Sequence, residues 1–309
     1  MRTASLGSLE LSVIGLGCNN FGRALDSDQS AEVVRAALDA GINHFDTASN
    51  YGEGQSEEFL GAALGDHREE VVIATKFGVP IAGWEGSGGA RPDYIRQVFQ
   101  RSLDNLGTDY VDLYMLHKPD PETPIEDTLE VMHQLVDEGK VLEIGCSNLD
   151  PGQLEQALGV STDRSWPSFI SNQVEYSLAH REPETNGLSE ICRARGVGLL
   201  PYYPLASGLL TGKTRRGDEP KGRLRMDRYQ GYLTETNFDL VERLAGYASD
   251  RDLTMVQVAL GWLLAQDVVP AVAAGATSAE QVASNALAAD WMPTDDDLAA
   301  LDAALEADL

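Results

Sequence analysis

Apolar residues in this chain fall into short continuous runs separated by amphipathic stretches. Strand-like runs are predicted at Ile42–Asp46, Val71–Phe77, Val111–His117, Val141–Asn148, Phe169–Tyr176, Gly198–Leu205 and Val268–Gly275. A further run, Leu9–Gly17, begins with alternation and becomes wholly apolar. These runs show little period-two patterning, as expected of parallel strands covered on both faces. Helical periodicity fills the intervals at Ser27–Ala40, Glu57–Leu64, Asp93–Leu106, Ile125–Glu138, Gln153–Leu158, Leu188–Arg195 and Phe238–Ala265, the last long enough for two helices. The first helix is expected to be capped by Ser27 or Asp28 and stopped by Gly41. A final helix-like stretch covers Asp296–Leu305. Eight strands alternating with helices in 309 residues predict one (β/α)8 barrel domain rather than an open doubly wound sheet. Leu6–Leu11 is expected to form a short hairpin across the barrel bottom.

Two connections exceed what a compact barrel needs. Residues 78–92 are glycine-rich around Trp84, and residues 212–236 concentrate Lys213, Arg215, Arg216, Lys221, Arg223, Arg225 and Arg228. The second could be a solvated insertion or a lid over an anionic ligand.

Charge narrows the partners. With 23 Lys and Arg against 49 Asp and Glu, the formal charge is −26, a field that repels nucleic acid and anionic membrane. Any phosphate-bearing ligand must therefore be held locally. No apolar run reaches the roughly 18 residues a membrane-spanning helix requires, and the N-terminus has no signal-peptide core. Cys18, Cys146 and Cys192 are widely spaced and form no Cys-x-x-Cys pair, which points to reduced thiols in a cytoplasmic protein. Gly15-Leu-Gly17 begins like a dinucleotide fingerprint, but Asn20 stands where its third glycine should be, so no Rossmann unit is inferred.

Candidate chemistry sits where apolar strands stop. Asp46 ends one run, with Tyr51 in the turn that follows. Lys76 ends the next, and His117 the one after. Charged groups on such strands need partners, and the C-terminal ends of barrel strands converge on one mouth. Each residue taken alone could be ordinary core or loop; four on three neighbouring strand ends are harder to explain that way.

Ordered motifs then carry a resemblance. Gly41-Ile-Asn-His-Phe-Asp46-Thr-Ala-Ser-Asn-Tyr51-Gly, Ala74-Thr-Lys76, Asp112-Leu-Tyr-Met-Leu-His117, Ile144-Gly-Cys-Ser147-Asn148, Asn172-Gln173-Val-Glu-Tyr176-Ser and Pro204-Leu-Ala-Ser-Gly208-Leu-Leu-Thr-Gly-Lys213 resemble the aldo-keto reductases over essentially the whole chain. That resemblance implies a nicotinamide-dependent oxidoreductase reducing aldehydes or ketones reversibly, with a tetrad of Asp46, Tyr51, Lys76 and His117. Lys76 beside Tyr51 is expected to lower the phenol's pKa, with Asp46 holding the lysine charged. By the same resemblance Ser147, Asn148 and Gln173 hold the nicotinamide carboxamide and Tyr202 stacks on its ring. Leu205, Gly208, Leu210 and Lys213 wrap the pyrophosphate. Gly275, Thr277, Gln281 and Asn285 meet the adenosine end.

The sequence departs from the family at that last end. Gln281 occupies a position where relatives preferring NADP carry Arg, Ser284 replaces a usual Glu, and no Lys or Arg follows Arg251. NADP(H) remains the expected cofactor by a narrow margin, with NAD(H) open; Arg223 or Arg225 could supply the missing charge. Candidate rim residues are Phe21, Asn50, Trp84, Tyr203, Tyr229 and Tyr232, for a small aldehyde, ketone or sugar-like carbonyl. Three other readings remain: an NAD-linked sugar or alcohol dehydrogenase, a non-catalytic cofactor-binding subunit of the same fold, and a metal hydrolase on His44, Asp46 and His117. The last lacks a further histidine ligand.

Overall fold

The computed structural model describes residues 1–306. Among them, β1 (Thr3–Leu6) and β2 (Leu9–Ser12) form an antiparallel hairpin. The parallel sheet comprises β3 (Ile14–Gly17), β4 (His44–Asp46), β5 (Val72–Phe77), β6 (Val111–Leu116), β7 (Val141–Ser147), β8 (Ser171–Glu175), β9 (Gly198–Tyr202) and β10 (Val272–Gly275). Its strand order is β10-β3-β4-β5-β6-β7-β8-β9, and the Leu199 N–H bonds the Val268 carbonyl at 2.7 Å across the seam. The result is a (β/α)8 barrel with an N-terminal hairpin. Around it lie α1 (Ser27–Asp39), α2 (Gln55–Leu64), α3 (Pro92–Leu106), α4 (Ile125–Asp137), α5 (Pro151–Arg164), α6 (Glu182–Thr185), α7 (Leu188–Arg195), α8 (Glu235–Ser249), α9 (Met255–Leu264), α10 (Ala279–Ala286) and α11 (Asp295–Glu306).

The run Leu9–Gly17 is two strands, not one. Its alternating half belongs to the hairpin: Leu6, Leu9 and Leu11 pack with Val72, Ala74, Leu113, Met115, Leu200 and Ala271 in a cluster that plugs the barrel. Asn43 holds the corner by accepting the Ser12 N–H at 2.6 Å. At the other end, Pro270 has no N–H for the ladder, so β10 starts at Val272 and not at Val268. The cap of α1 is Asp26, which forms a reciprocal box with Gln29; neither Ser27 nor Asp28 fills that role. Helix α5 runs on to Arg164 because Leu154, Ala157, Leu158 and Ser161 share its buried face, although Gly159 to Asp163 are poor helix formers.

Period two decides what enters the barrel. On β4, His44 and Asp46 share a face while Phe45 joins the layer between sheet and helices. Gly15 lacks a side chain where His44 needs space: a Cβ there would sit 2.5 Å from its Nδ1. Helix α2 touches α3 through Gly61, where a Cβ would lie 2.3 Å from the Leu106 carbonyl oxygen. Ala normally beats Gly inside a helix by about 1 kcal/mol. Gly61→Ala should instead destabilise the fold by about 1–3 kcal/mol, read as a lower denaturant midpoint with an unchanged slope.

Candidate active site

At the C-terminal end of the barrel, strand register brings the candidates together. Asp46 pairs with Gly17 on one side and Ala74 on the other, and Lys76 lies two residues further along β5. Lys76 is fully buried. Its Nζ lies 2.8 Å from Asp46 Oδ1 and donates to Asp46 Oδ2 at 2.9 Å and to the Thr47 carbonyl at 2.7 Å. Gln173, from across the barrel, donates Nε2 to Asp46 Oδ1 at 3.0 Å. The carboxylate is thus held from two sides, and the ammonium is aimed at Tyr51, whose ring centroid lies 5.2 Å from Nζ. The His117 ring meets Tyr51 edge-on, centroids 5.8 Å apart.

These surroundings set the protonation states. Burial works against the Lys76 charge, but Asp46 and then Tyr51 outweigh it and raise the ammonium's pKa. For Tyr51 the balance runs opposite to the sequence expectation. Burial pushes the phenol above its ordinary value, and the pull of Lys76 offsets this only in part. Tyr51 is therefore a protonated phenol at neutral pH, fit to donate. Burial, followed by Lys76 and Lys118, depresses His117 to about 3, so its imidazole is neutral.

Beside these groups opens a cavity of about 1020 Å³. Its wall includes Asp46, Tyr51 and His117, then Ser147, Asn148, Gln173 and Tyr202. Leu205, Gly208 and Lys213 continue it, and Gly275, Thr277, Gln281 and Asn285 close the far end. Lys76 lies behind this wall. Leu210 does not join it: its side chain is fully buried in the core. Of the proposed rim, Asn50 and Tyr203 face the cavity. Phe21 is core, and Trp84 packs on Tyr94 at 5.7 Å and under Arg101. Tyr229 and Tyr232 stand one layer back, bonded to the Tyr203 hydroxyl and the Glu175 carboxylate.

The long loop after β9 is a strap and not a loose insertion. Leu224 and Tyr229 bury into the core, Thr214 accepts the Lys221 N–H at 3.1 Å, and Arg223 donates to Asn20 Oδ1 at 2.8 Å across the mouth. Asn20 in turn donates to the Ala276 carbonyl at 3.1 Å. Asn20, Lys118 and Ser207 also face the cavity and were not expected from sequence; for Ser207 the signal was its place before Gly208 in the Pro204–Lys213 motif. Tyr203, Ala206 and Ser207 all adopt positive φ, strain that collects beside the cavity.

Several polar atoms here lack protein partners. Asn50 Oδ1, His117 Nδ1 and Ser207 Oγ are buried and unbonded on residues of the cavity wall. Asn148 spends its Nδ2 on the His117 carbonyl and Ser147 Oγ, and its Oδ1 accepts from Tyr202, which leaves an acceptor lone pair for an amide NH2. An elongated polar ligand with an amide at one end and anionic groups further along fits this donor set.

The sequence profile described as "Aldo/keto reductase family" matches residues 13–306. The chain belongs to the aldo/keto reductase family. It is 35% identical over 298 residues to the L-glyceraldehyde 3-phosphate reductase of Escherichia coli K12, covering 92% of this chain and 86% of that protein. It is 35% identical over 275 residues to a probable aldo-keto reductase 1 of Glycine max, covering 84% and 76%. It is also 32% identical over 285 residues to a probable voltage-gated potassium channel subunit beta of Oryza sativa subsp. japonica, covering 88% and 85%. Family membership makes this aldo/keto reductase an oxidoreductase of carbonyl compounds. No helix among the described residues is long and apolar enough to cross a membrane, and no group of three His, Cys, Asp or Glu could hold a metal among them.

The two barrel histidines give a pH signature. Burial lowers His44 to about 4, and both its ring nitrogens are unpartnered. Below the unfolded value of roughly 6.5 the unfolded chain binds about two protons that native His44 and His117 do not. Stability should therefore fall as pH drops from 6.5 towards their native values, and be unaffected by them above it. His44→Leu should remove about half of that histidine-linked slope, read from denaturant midpoints between pH 7 and 5.

Proposed function

We propose that this protein is a nicotinamide-dependent carbonyl reductase in which Tyr51 gives the proton to the substrate oxygen. The observation that carries this is Lys76, fully buried, gripped by Asp46 and the Thr47 carbonyl, and placed behind Tyr51. A buried ammonium costs several kcal/mol unless its environment is built for it. Here it is built to face a phenol. When bound, the cofactor supplies the hydride. The carbonyl oxygen then gains negative charge, and Tyr51 is the group with a proton to give. Lys76 stabilises the phenolate left behind, which makes the transfer reversible. Neutral His117 has an N–H to offer the same oxygen without competing as an acid.

The cofactor's amide would be held by Ser147, Asn148 and Gln173, and its ring by Tyr202. Gly208, Ser207 and Lys213 would meet its phosphates, and Thr277, Gln281 and Asn285 its adenosine. NADP(H) is the expected form, with NAD(H) also used. Gln281 is occupied with Thr277, through bonds of 2.9 and 3.2 Å to its carbonyl oxygen, and Glu280 adds negative charge nearby. Lacking a charged bond worth about 1.5–3 kcal/mol, the protein should favour NADPH over NADH by no more than about tenfold in kcat/KM. Three buried free cysteines suit a reducing cytoplasm, and a single barrel domain suits the chain.

The channel-subunit relatives raise a competing reading, in which the cofactor is bound without turnover. Tyr51→Phe separates the two. It should lower kcat for aldehyde reduction by about 10²–10⁴ and leave NADPH affinity, followed by cofactor emission, within about threefold. Turnover equal in wild type and variant would remove Tyr51 from the chemistry.

A further inference from the structure

The chain has 49 acidic residues against 23 basic ones, yet the cavity wall reverses this balance. Arg23, Lys118, Lys213, Lys221, Arg223 and Arg228 face it, against Asp46 and Glu280. Asp46 is already bound to Lys76. Among the described residues only Lys221 of the six has a carboxylate within reach, Asp218 at 3.6 Å. Where carboxylates outnumber cations twofold, five cations left without one around a single cavity mark a site for a diffusible anion.

A cofactor's phosphates account for some of this charge, but not for its place. Lys118 directly follows His117. Arg23 follows Gly22, whose Cα would lie 2.9 Å from a Cβ on Gly52, so its loop packs on the Tyr51 turn. Arg228 stacks on Tyr229 at 4.8 Å, and the Tyr229 hydroxyl meets that of Tyr203 at 3.1 Å. Three separate loops thus carry cations to the part of the wall formed by Tyr51, His117 and Tyr203. Close by, His117 Nδ1 and Asn50 Oδ1 are polar atoms with no protein partner.

We propose that the substrates are small carbonyl compounds bearing a carboxylate or phosphate, with Lys118 as the principal counter-ion and Arg228 assisting from the strap. This rests on the reductase reading above. A cation beside His117 fixes the end of the substrate remote from the carbonyl, so binding energy at the anion orients the reacting carbon. The same cations oppose the repulsive field of the acidic surface and draw anions to the mouth.

The test compares matched aldehydes with the NADPH-loaded enzyme: butanal against 4-oxobutanoate, and glycolaldehyde against glycolaldehyde phosphate. At low ionic strength at least one anionic member should exceed its neutral partner by about tenfold or more in kcat/KM. That ratio should shrink as salt approaches about 1 M. Lys118→Met and Arg228→Met should each reduce the ratio mainly through KM of the anion, and whichever pair responds identifies the anion type. Wild-type ratios near one, or ratios that neither variant changes, would overturn this inference and leave the reductase reading standing. Reduction of no aldehyde at all would overturn both.

Discussion

The contact between Lys76 and Asp46 constrains everything at the barrel mouth. Each charge would cost several kcal/mol to bury alone, and breaking such a pair typically costs about 3–5 kcal/mol. The cost is met by completeness: two carboxylate oxygens and the Thr47 carbonyl surround Nζ, while Gln173 secures the carboxylate from the opposite wall. Only a closed barrel can bring β4, β5 and β8 around one point. The ion pair therefore depends on the same parallel register that builds the core, and it fixes in turn where a phenol at position 51 feels a positive charge.

That geometry also explains a balance of opposing effects at Tyr51. Burial favours the neutral phenol and Lys76 favours the phenolate; in this protein burial prevails. In the proposed reaction, a phenol held protonated beside a cation that stabilises its conjugate base gives up its proton without a large energetic penalty in either direction. His117 follows the same logic, since burial and two neighbouring ammonium groups keep it neutral.

Charge is partitioned between surface and site. The molecule is strongly acidic, but its cavity wall is basic, and one strap supplies Lys213, Lys221, Arg223 and Arg228 to it. The strap is tied down by buried Leu224 and Tyr229 and by Arg223 on Asn20. Positive φ at Tyr203, Ala206 and Ser207 lets the chain turn sharply out of β9 at the point where it must both line the cavity and begin the strap. Such strain persists only where packing on both sides holds it.

Much of this was legible in the chain itself. Continuous apolar runs gave the eight strands because both faces of a parallel sheet are covered, and Asp46, Lys76 and His117 stood out as charged or polar residues ending such runs. What adjacency in sequence could not supply was adjacency in space. Leu210 and Phe21 read as wall residues, yet both are core, because a turn's hydrophobes are sorted by which side of the barrel rim they meet. Trp84 looked like a pocket aromatic and instead packs on α3. The helix cap at Asp26, the split of Leu9–Gly17 and the extension of α5 turned on single hydrogen bonds or shared faces that pattern does not resolve. The sequence alone determined the barrel, the identity of the polar residues that end its neighbouring strands and the acidic composition. Only the tertiary structure decided that burial outweighs Lys76 at Tyr51, that Arg223 spans the mouth to Asn20 and that cations with no carboxylate beside them among the described residues line the cavity. Burial and long-range contact set these outcomes, and neither is a property of residues read one after another.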